Sequence, residues 1–316
     1  MAPGQRCIVC DAGGPFPLLW ERGGFRLVRC PRCRLVFQSP QPCDAVLEGS
    51  YYHDEEFSRA LLGELRAVTL ENARRKLPLL RAESALEPGM RALDVGTASG
   101  AWIETLAALG VRATGVEVGE ATSAAARARG LDVRTGTLGE ALPGLGDERF
   151  DLITFWDVLE HLRDPRRELG LARGLLAPGG RVAATFPNVE GLYPRLTYTL
   201  LARRTGVWEY PELPLHLYDF APATARALFE RAGFDIRRVA TLAVPYSAYR
   251  STSLSAERVG TRPKERLLRA AFGALHAIAY PLARLMDRGN ALFVIATLAR
   301  DAGIHPGEAA REAPTR

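Results

Sequence analysis

Four cysteines near the N-terminus stand in two pairs, Cys7-x2-Cys10 and Cys30-x2-Cys33, with 19 residues between the pairs. Each pair can turn two thiolates toward one centre, and two such turns complete a tetrahedron. A set with all four positions filled by protein would hold a structural Zn2+, with a redox dithiol as the rival for either pair. Cys43, between Pro42 and Asp44, is left over and reads as a small buried apolar residue rather than a fifth ligand. A second group follows an apolar run: Asp94, then Gly96, Thr97 and Gly100. A strand, a tight glycine turn and a helix N-terminus in that order let a ligand approach the backbone, and free amides there favour a carboxylate. Glu117 comes about 20 residues later, at the end of the next strand, where it can accept hydrogen bonds from both hydroxyls of a ribose. NAD would want the same acid, but the glycine pattern and the segment after Phe150 argue against it. Further along come Asp157, Glu160 and His161, and then His216 just before a helical stretch. The adjacent pair Glu160 and His161 would point in different directions on a helix.

These groups need elements to hold them. Apolar runs predict strands at 91–95, 112–117, 131–135, 150–156 and 180–186, with helices at about 100–109, 120–129 and 164–176. Such alternation is an α/β, Rossmann-like sheet, in which ligands sit at the carboxyl ends of the strands. Phe234–Leu242 and Ala291–Leu298 complete it as strands six and seven. The organisation is a small zinc-binding module at 1–45, a helical bridge or lid at 46–90, the sheet domain at 91–300 and a polar, disordered tail at 301–316. Within the module, Phe25–Arg29 and Leu35–Phe37 read as strands, and metal would hold a unit with so little core. Within the bridge, Phe57, Leu61, Leu62 and Leu65 open a helical pattern that Pro78 should kink or divide. Tyr51 and Tyr52 are candidates for a lid or for packing. Two insertions, 189–221 and 244–290, belong to the acceptor side. The second contains an apolar helix from Glu265 to Met286, to be a pocket wall, a dimer face or an interfacial helix.

The ordered motifs carry a resemblance. Asp94-Val-Gly-Thr-Ala-Ser-Gly100 resembles the first motif of the class I S-adenosylmethionine-dependent methyltransferases, with Ala98 in place of the middle glycine. Phe150-Asp-Leu-Ile-Thr-Phe-Trp-Asp-Val-Leu-Glu-His161 resembles the strand-four motif of the ubiquinone-biosynthesis-like O-methyltransferases, and Leu175 to Asn188 matches their next helix end and strand. The resemblance spans roughly 86–240 and implies a seven-stranded sheet whose last strand is antiparallel. It implies S-adenosyl-L-methionine held by Asp94, Gly96, Thr97, Gly100, Glu117, Val118, Thr137, Leu138, Phe155 and Trp156. Thr137 stands near where the family often has an Asp for the adenine amino group; its hydroxyl or a backbone group would substitute. Asp157, Glu160 and His161 fall where the methyl is delivered, and His216 where related enzymes turn a histidine to the pocket. His216 is therefore the candidate general base for a hydroxyl acceptor, against a histidine that caps or packs the following helix. A divalent ion near Asp157, Glu160 and His161 is the further option, since some quinone relatives use one. The cysteine head also resembles that of certain sugar C-methyltransferases. Those enzymes carry a further C-terminal domain, so that role is not expected to transfer.

Composition sets the outer limits. The chain has 316 residues, 47% apolar and 24% charged, with a net charge of +5. Lys76 and Lys264 are the only lysines, and no dense basic run is interleaved with aromatics, so nucleic acid is not the expected partner. There is no apolar run long enough to span a bilayer and no leader-like start, which makes the cytoplasm the default expectation. The expected activity is methyl transfer to a small molecule, with an RNA base methyltransferase and a non-catalytic scaffold as alternatives. Contact with a membrane surface and a homodimer are the partner options beyond the substrate.

Overall fold

The structure is a computed structural model that describes residues 5–48, 63, 66–83, 86–208, 210–245 and 263–299. Tyr51, Tyr52, Phe57, Leu61, Leu62, Leu65 and the tail 301–316 lie outside the described residues.

Seven strands form the main sheet: β4 (Arg91–Val95), β5 (Arg112–Glu117), β6 (Asp132–Thr135), β7 (Phe150–Trp156), β8 (Leu176–Pro187), β10 (Phe234–Leu242) and β11 (Ala291–Leu298). Their order is β10-β11-β8-β7-β4-β5-β6. Only β11 runs against its neighbours, pairing antiparallel with both β8 and β10. The expected seven-stranded sheet with an antiparallel last strand is therefore present.

Period-two alternation divides this sheet's side chains between two cores. Leu93, Val95, Ile153, Phe155, Val182, Ala184, Leu292 and Val294 share one cluster. They pack there with residues of α5 (Leu138–Leu145), α6 (Pro165–Leu175) and α8 (Pro222–Arg231). The intervening Ala92, Leu152, Trp156, Ala183, Phe293 and Ile295 belong to the opposite cluster, with α2 (Arg66–Arg81) and α3 (Ala101–Ala107). Local chemistry fixes the helix starts. Asp164 accepts from Arg167 N at 2.9 Å before Pro165, the first residue of α6. Thr137 and Glu140 cap α5 reciprocally. The sequence reading stopped at Leu138 and missed α5. Nor does Pro78 divide α2, which continues to Arg81, although a proline there leaves the carbonyl of Arg74 without its helical donor.

A second sheet, β1-β2-β3-β9, joins distant parts of the chain. β1 (Leu18–Arg22), β2 (Phe25–Arg29) and β3 (Val36–Gln38) come from the cysteine module. β9 (Tyr218–Asp219) comes from the long connection 189–221 and pairs Val36 with Asp219 and Phe37 with Tyr218. The short α1 (Asp44–Glu48) follows the module. Cys43, just before it, is exposed, because its position at the helix start faces solvent and not the core, contrary to the buried role expected.

α7 (Leu192–Thr197) packs against the long α9 (Pro263–Leu285). The latter buries Phe272, His276, Ala279 and Ala283 and exposes Leu267, Ile278 and Leu285. It backs the cavity's wall without lining it: His276 Nε2 stands 3.1 Å from the carbonyl of Val244, which does line it. No helix among the described residues is long and apolar enough to cross a membrane.

Gly115, in the middle of β5, is what lets the glycine turn lie flat on the sheet. A Cβ there would stand 2.5 Å from Ile103 Cδ1 and 2.6 Å from Thr97 Cγ2. Thr97 belongs to the turn and its Cβ would also be only 3.0 Å away, so the turn or both side chains would have to shift. Gly115→Ala is expected to cost about 1–3 kcal/mol, read as a lower midpoint in thermal unfolding.

Candidate functional site

One cavity of about 800 Å3 opens at the carboxyl ends of β4, β5, β6 and β7. Its first half is built from the glycine turn. Gly96 adopts φ +73°, and a Cβ on it would meet Val158 Cγ2 at 2.5 Å, so glycine is required twice over. Ala98 also sits at positive φ, +48°, a conformation that glycine would adopt without cost. The residue in place of the family's middle glycine thus keeps the glycine backbone shape. Glu117 stitches the turn to β5. Its Oε2 accepts from Ala98 N at 2.8 Å and its Oε1 from Gly119 N at 2.9 Å. Burial raises the Glu117 carboxyl above its ordinary value, and these amides pull against that.

Asp94 lies on the same sheet face as Thr154, its register partner on β7, whose hydroxyl donates to Asp94 Oδ1 at 2.6 Å. Burial nevertheless pushes Asp94 up to about 6, with the Thr154 hydroxyl and the charge of Lys76 opposing. Lys76 comes from α2. Its ammonium stands 4.8 Å from the Trp156 ring centre and 3.7 Å from Asp157 Oδ2. The sequence reading passed over Lys76, although one lysine in an arginine-only neighbourhood was a signal.

The structure brings Asp94, Gly96, Thr97, Glu117, Val118, Thr137, Leu138, Trp156, Asp157, His161 and His216 to this cavity. It leaves out Gly100 and Phe155. Gly100 is the left-handed cap of α3, φ +78°. Phe155 is one residue from Trp156 on a strand, so it points into the opposite core. Trp156 stays on the cavity side, edge-on to Trp102 at 5.3 Å and stacked on Phe293. The Thr137 hydroxyl donates to Glu140 Oε2 at 2.9 Å and is therefore already engaged in the helix cap.

The second half of the cavity holds a buried titratable cluster. Asp157 turns the chain at the end of β7 with φ +58°, its Oδ1 accepting from the Thr185 hydroxyl. Glu160 is 1% exposed, and neither of its carboxylate oxygens has a hydrogen-bond partner. Burial pushes it up to about 8, against the pull of the His216 charge. His161 Nδ1 lies 3.2 Å from the carbonyl of Leu215, which fixes that nitrogen as the donor. Burial, and then the charge of His216, bring His161 down to about 3. His216 Nε2 pairs with Glu212 Oε2 at 3.1 Å. Burial works to lower His216, but the Glu212 hydrogen bond and charge, with Glu160 and Asp219 behind them, raise it to about 9. The two imidazoles meet edge to face at 4.7 Å. Donor atoms of Glu160, His161 and His216 all lie within 4.8 Å of one another, a set that fits one divalent ion. Their convergence comes from the 213–218 loop and not from one helix.

The cysteines also converge. Cys7 and Cys33 Sγ are 3.4 Å apart, Cys10 and Cys30 Sγ 3.5 Å, and all four lie within 4.8 Å. The two turns repeat each other. Asp11 N donates to Cys7 O at 2.8 Å and Arg34 N to Cys30 O at 2.9 Å, and both Asp11 and Arg34 are left-handed.

Comparison with known proteins follows this geometry. Residues 67–239 match a family described as a methyltransferase domain. A ubiquinone biosynthesis O-methyltransferase of Hahella chejuensis is 36% identical over 103 residues, 31% of this chain and 43% of that protein. One from Azotobacter vinelandii is 37% identical over 100 residues, with 30% and 43% covered. The chain thus spans less than half the length of the curated relatives it matches. Among solved structures, an S-adenosylmethionine-dependent methyltransferase from Archaeoglobus fulgidus aligns with TM-score 0.50 and 18% identity over 77% of this chain and 99% of its own. A chain of the Haloferax volcanii complex between the Trm112 methyltransferase activator and a methyltransferase aligns with TM-score 0.50 and 16% identity, covering 78% and 99%. At such identities these two show the shared fold.

Asp94 sets up a test that separates stability from binding. Its ionised form weakens the native state at pH above about 6, and that cost vanishes as pH falls below the ordinary carboxylate range. Asp94→Asn is expected to unfold at the same or a higher temperature than the parent at pH 8, with the gap closing toward pH 4. Its affinity for a cationic cofactor is expected to fall at least tenfold by calorimetry.

Proposed function

Because this chain belongs to the methyltransferase-domain family, we propose that it binds S-adenosylmethionine in the β4–β5 half of the cavity and methylates a hydroxyl of a small, largely apolar acceptor in the other half. The observation that carries this reading is the single cavity joining the glycine turn and Glu117 to Glu160 and the two histidines. The acceptor half is walled by Leu162, Leu242, Val244 and Pro245, which suits an aromatic or alkyl body. The relatives named as O-methyltransferases support oxygen as the methylated atom.

The buried anions Asp94 and Glu117 favour the cofactor's positive groups and its ribose. The rings of Trp156 and Trp102 lend an apolar floor that keeps water from the reacting carbon. In the transfer, a lone pair of the acceptor oxygen forms the new carbon–oxygen bond. The carbon–sulfur bond breaks with its electrons left on sulfur, which turns the sulfonium into a thioether. Alignment of this kind contributes about 7–11 kcal/mol.

The hydroxyl proton needs a destination, and three groups compete. His216 is held charged by Glu212, so it has no lone pair to offer near neutral pH. His161 spends Nδ1 on a carbonyl and is too weakly basic to keep a proton. Glu160 has both oxygens unspent and a pKa raised toward the working range. We therefore place Glu160 against the acceptor's hydroxyl, with the His216 charge to steady its ionised form, in place of the sequence expectation that His216 is the base. A second reading rests on the same orphaned oxygens: Glu160, His161 and His216 would hold a divalent ion that lowers the acceptor's pKa. For the four thiols, spacing and convergence fit Zn2+ in a closed structural site.

Labelled S-adenosylmethionine offered with a panel of phenols and catechols tests the activity. Glu160→Gln is expected to lower kcat about 10²–10⁴-fold with cofactor affinity kept within threefold. The parent's rate is expected to rise through pH 8, as a base that must be deprotonated requires. A rate flat from pH 6 to 9 and unmoved by Glu160→Gln would sink the assignment, and loss of activity on chelation with recovery on adding Mg2+ would favour the second reading. Metal analysis is expected to find one zinc per chain, lost in Cys10→Ser.

A further inference from the structure

A side chain of the cysteine module, Gln38, reaches the loop that carries His216. Gln38 ends β3 and is fully buried. Its backbone N donates to Leu217 O at 2.9 Å, and its amide Nε2 donates to Pro214 O and to His216 O, each at 2.7 Å. With two carbonyls on one side, the amide can only present its nitrogen there. The other side of the same loop faces the cluster. Leu217 N donates to the backbone carbonyl of Glu160 at 2.8 Å, and Leu215 O accepts from His161 Nδ1. The loop 214–218 is therefore gripped between Gln38 and the Glu160–His161 corner. Gln41 adds a second grip from the module, donating to the Tyr218 hydroxyl at 2.7 Å.

We propose that Gln38 is a positioning residue: through it the four-thiol module sets the place of His216, and so of the acceptor half of the site, while the cofactor half is left independent. This deepens the reading that Glu160 and His216 face the acceptor, and rests on it for its consequence. The grip itself stands apart from that reading. Gln38 touches neither the glycine turn nor Glu117. Its three carbonyl partners all lie on the loop whose His216 pairs with Glu212 and meets His161. The same packing ties loop and thiols together, since Cys10, Cys30, Leu35 and Phe37 share one core cluster with Leu217, Tyr218 and Phe220.

The test avoids turnover, so that failure of the O-methyl assignment and failure of this inference are told apart. Gln38→Met keeps length and volume and removes the donor. In the full chain it is expected to keep its zinc and to bind S-adenosylmethionine within threefold of the parent. Amide exchange of Leu217 and Tyr218 should speed at least tenfold. The ring resonances of His161 and His216 should move, while those of His276, packed against Tyr193, should not. Gln41→Leu is expected to give the same pattern at smaller amplitude, and it serves should Gln38→Met not fold. Unchanged exchange and unchanged ring signals would overturn the proposal. So would cofactor affinity weakened beyond threefold, or His276 signals that shift as well, since either marks a general loss of structure.

Discussion

Removing a carboxylate from water costs several kcal/mol unless something in the protein replaces the lost hydrogen bonds. This chain does it at Asp94, Glu117, Glu160 and Asp219, all less than one-tenth exposed. The replacement differs among the four. Glu117 has two backbone amides and Asp94 a threonine hydroxyl. Glu160 and Asp219 have no hydrogen-bond partner on any side-chain oxygen and lean on the charge of His216. The two carboxylates beside the glycine turn are thus hydrogen-bonded before a ligand arrives. The acceptor half holds unmet capacity, which a hydroxyl or a cation can fill.

That difference follows from the elements. At the glycine turn a strand has ended and a helix has just begun, so the backbone amides find partners outside both ladders: Gly96 N and Thr97 N donate to Val116 O, and Ala98 N to Glu117. Gly96 and Ala98 shape the backbone so that one of those amides reaches Glu117. No comparable set of amides exists where β7 ends. There Asp157 turns the chain, and Glu160 is carried inward with no amide on its carboxylate oxygens. Its neighbours of opposite sign must come from elsewhere in the chain, and the 213–218 loop supplies them.

This difference also decides what could be read from the sequence. The main-sheet strands were legible as short apolar runs, and β4, β5, β6 and β7 each end at or just before a glycine or an acid. β4, β5, β7, β10 and β11 keep the expected limits. The glycine turn, Glu117 and the two cysteine pairs were legible because each is fixed within a few residues. Phe155 and Trp156 could not both face one cavity, and alternation alone would have removed Phe155. Thr137 carried the Thr-x-x-Glu140 signature of a helix cap, which explains where its hydroxyl goes. What no local pattern could show is β9 joining the cysteine module's sheet, or Glu212 claiming His216. Those contacts depend on how a long insertion returns across the molecule.

The return of that insertion bears on what the module is. A four-thiol unit with three short strands could serve as a separate recognition head. Its charges argue for a fixed part of the main body: Asp11 pairs with both Arg166 on α6 and Arg231 on α8, and Arg163, just before α6, pairs with Asp44. Exposed pairs of this kind contribute little singly. The burial of Leu35, Val36 and Phe37, each at most 1% exposed, contributes far more, at roughly 1.5–3 kcal/mol for each large apolar side chain. Detaching the module would strip one edge from β9 and uncover that apolar surface together. The module therefore behaves as an outer wall of the acceptor half, held by hydrophobic packing and aligned by backbone pairing. The fourth strand of its sheet begins two residues after His216.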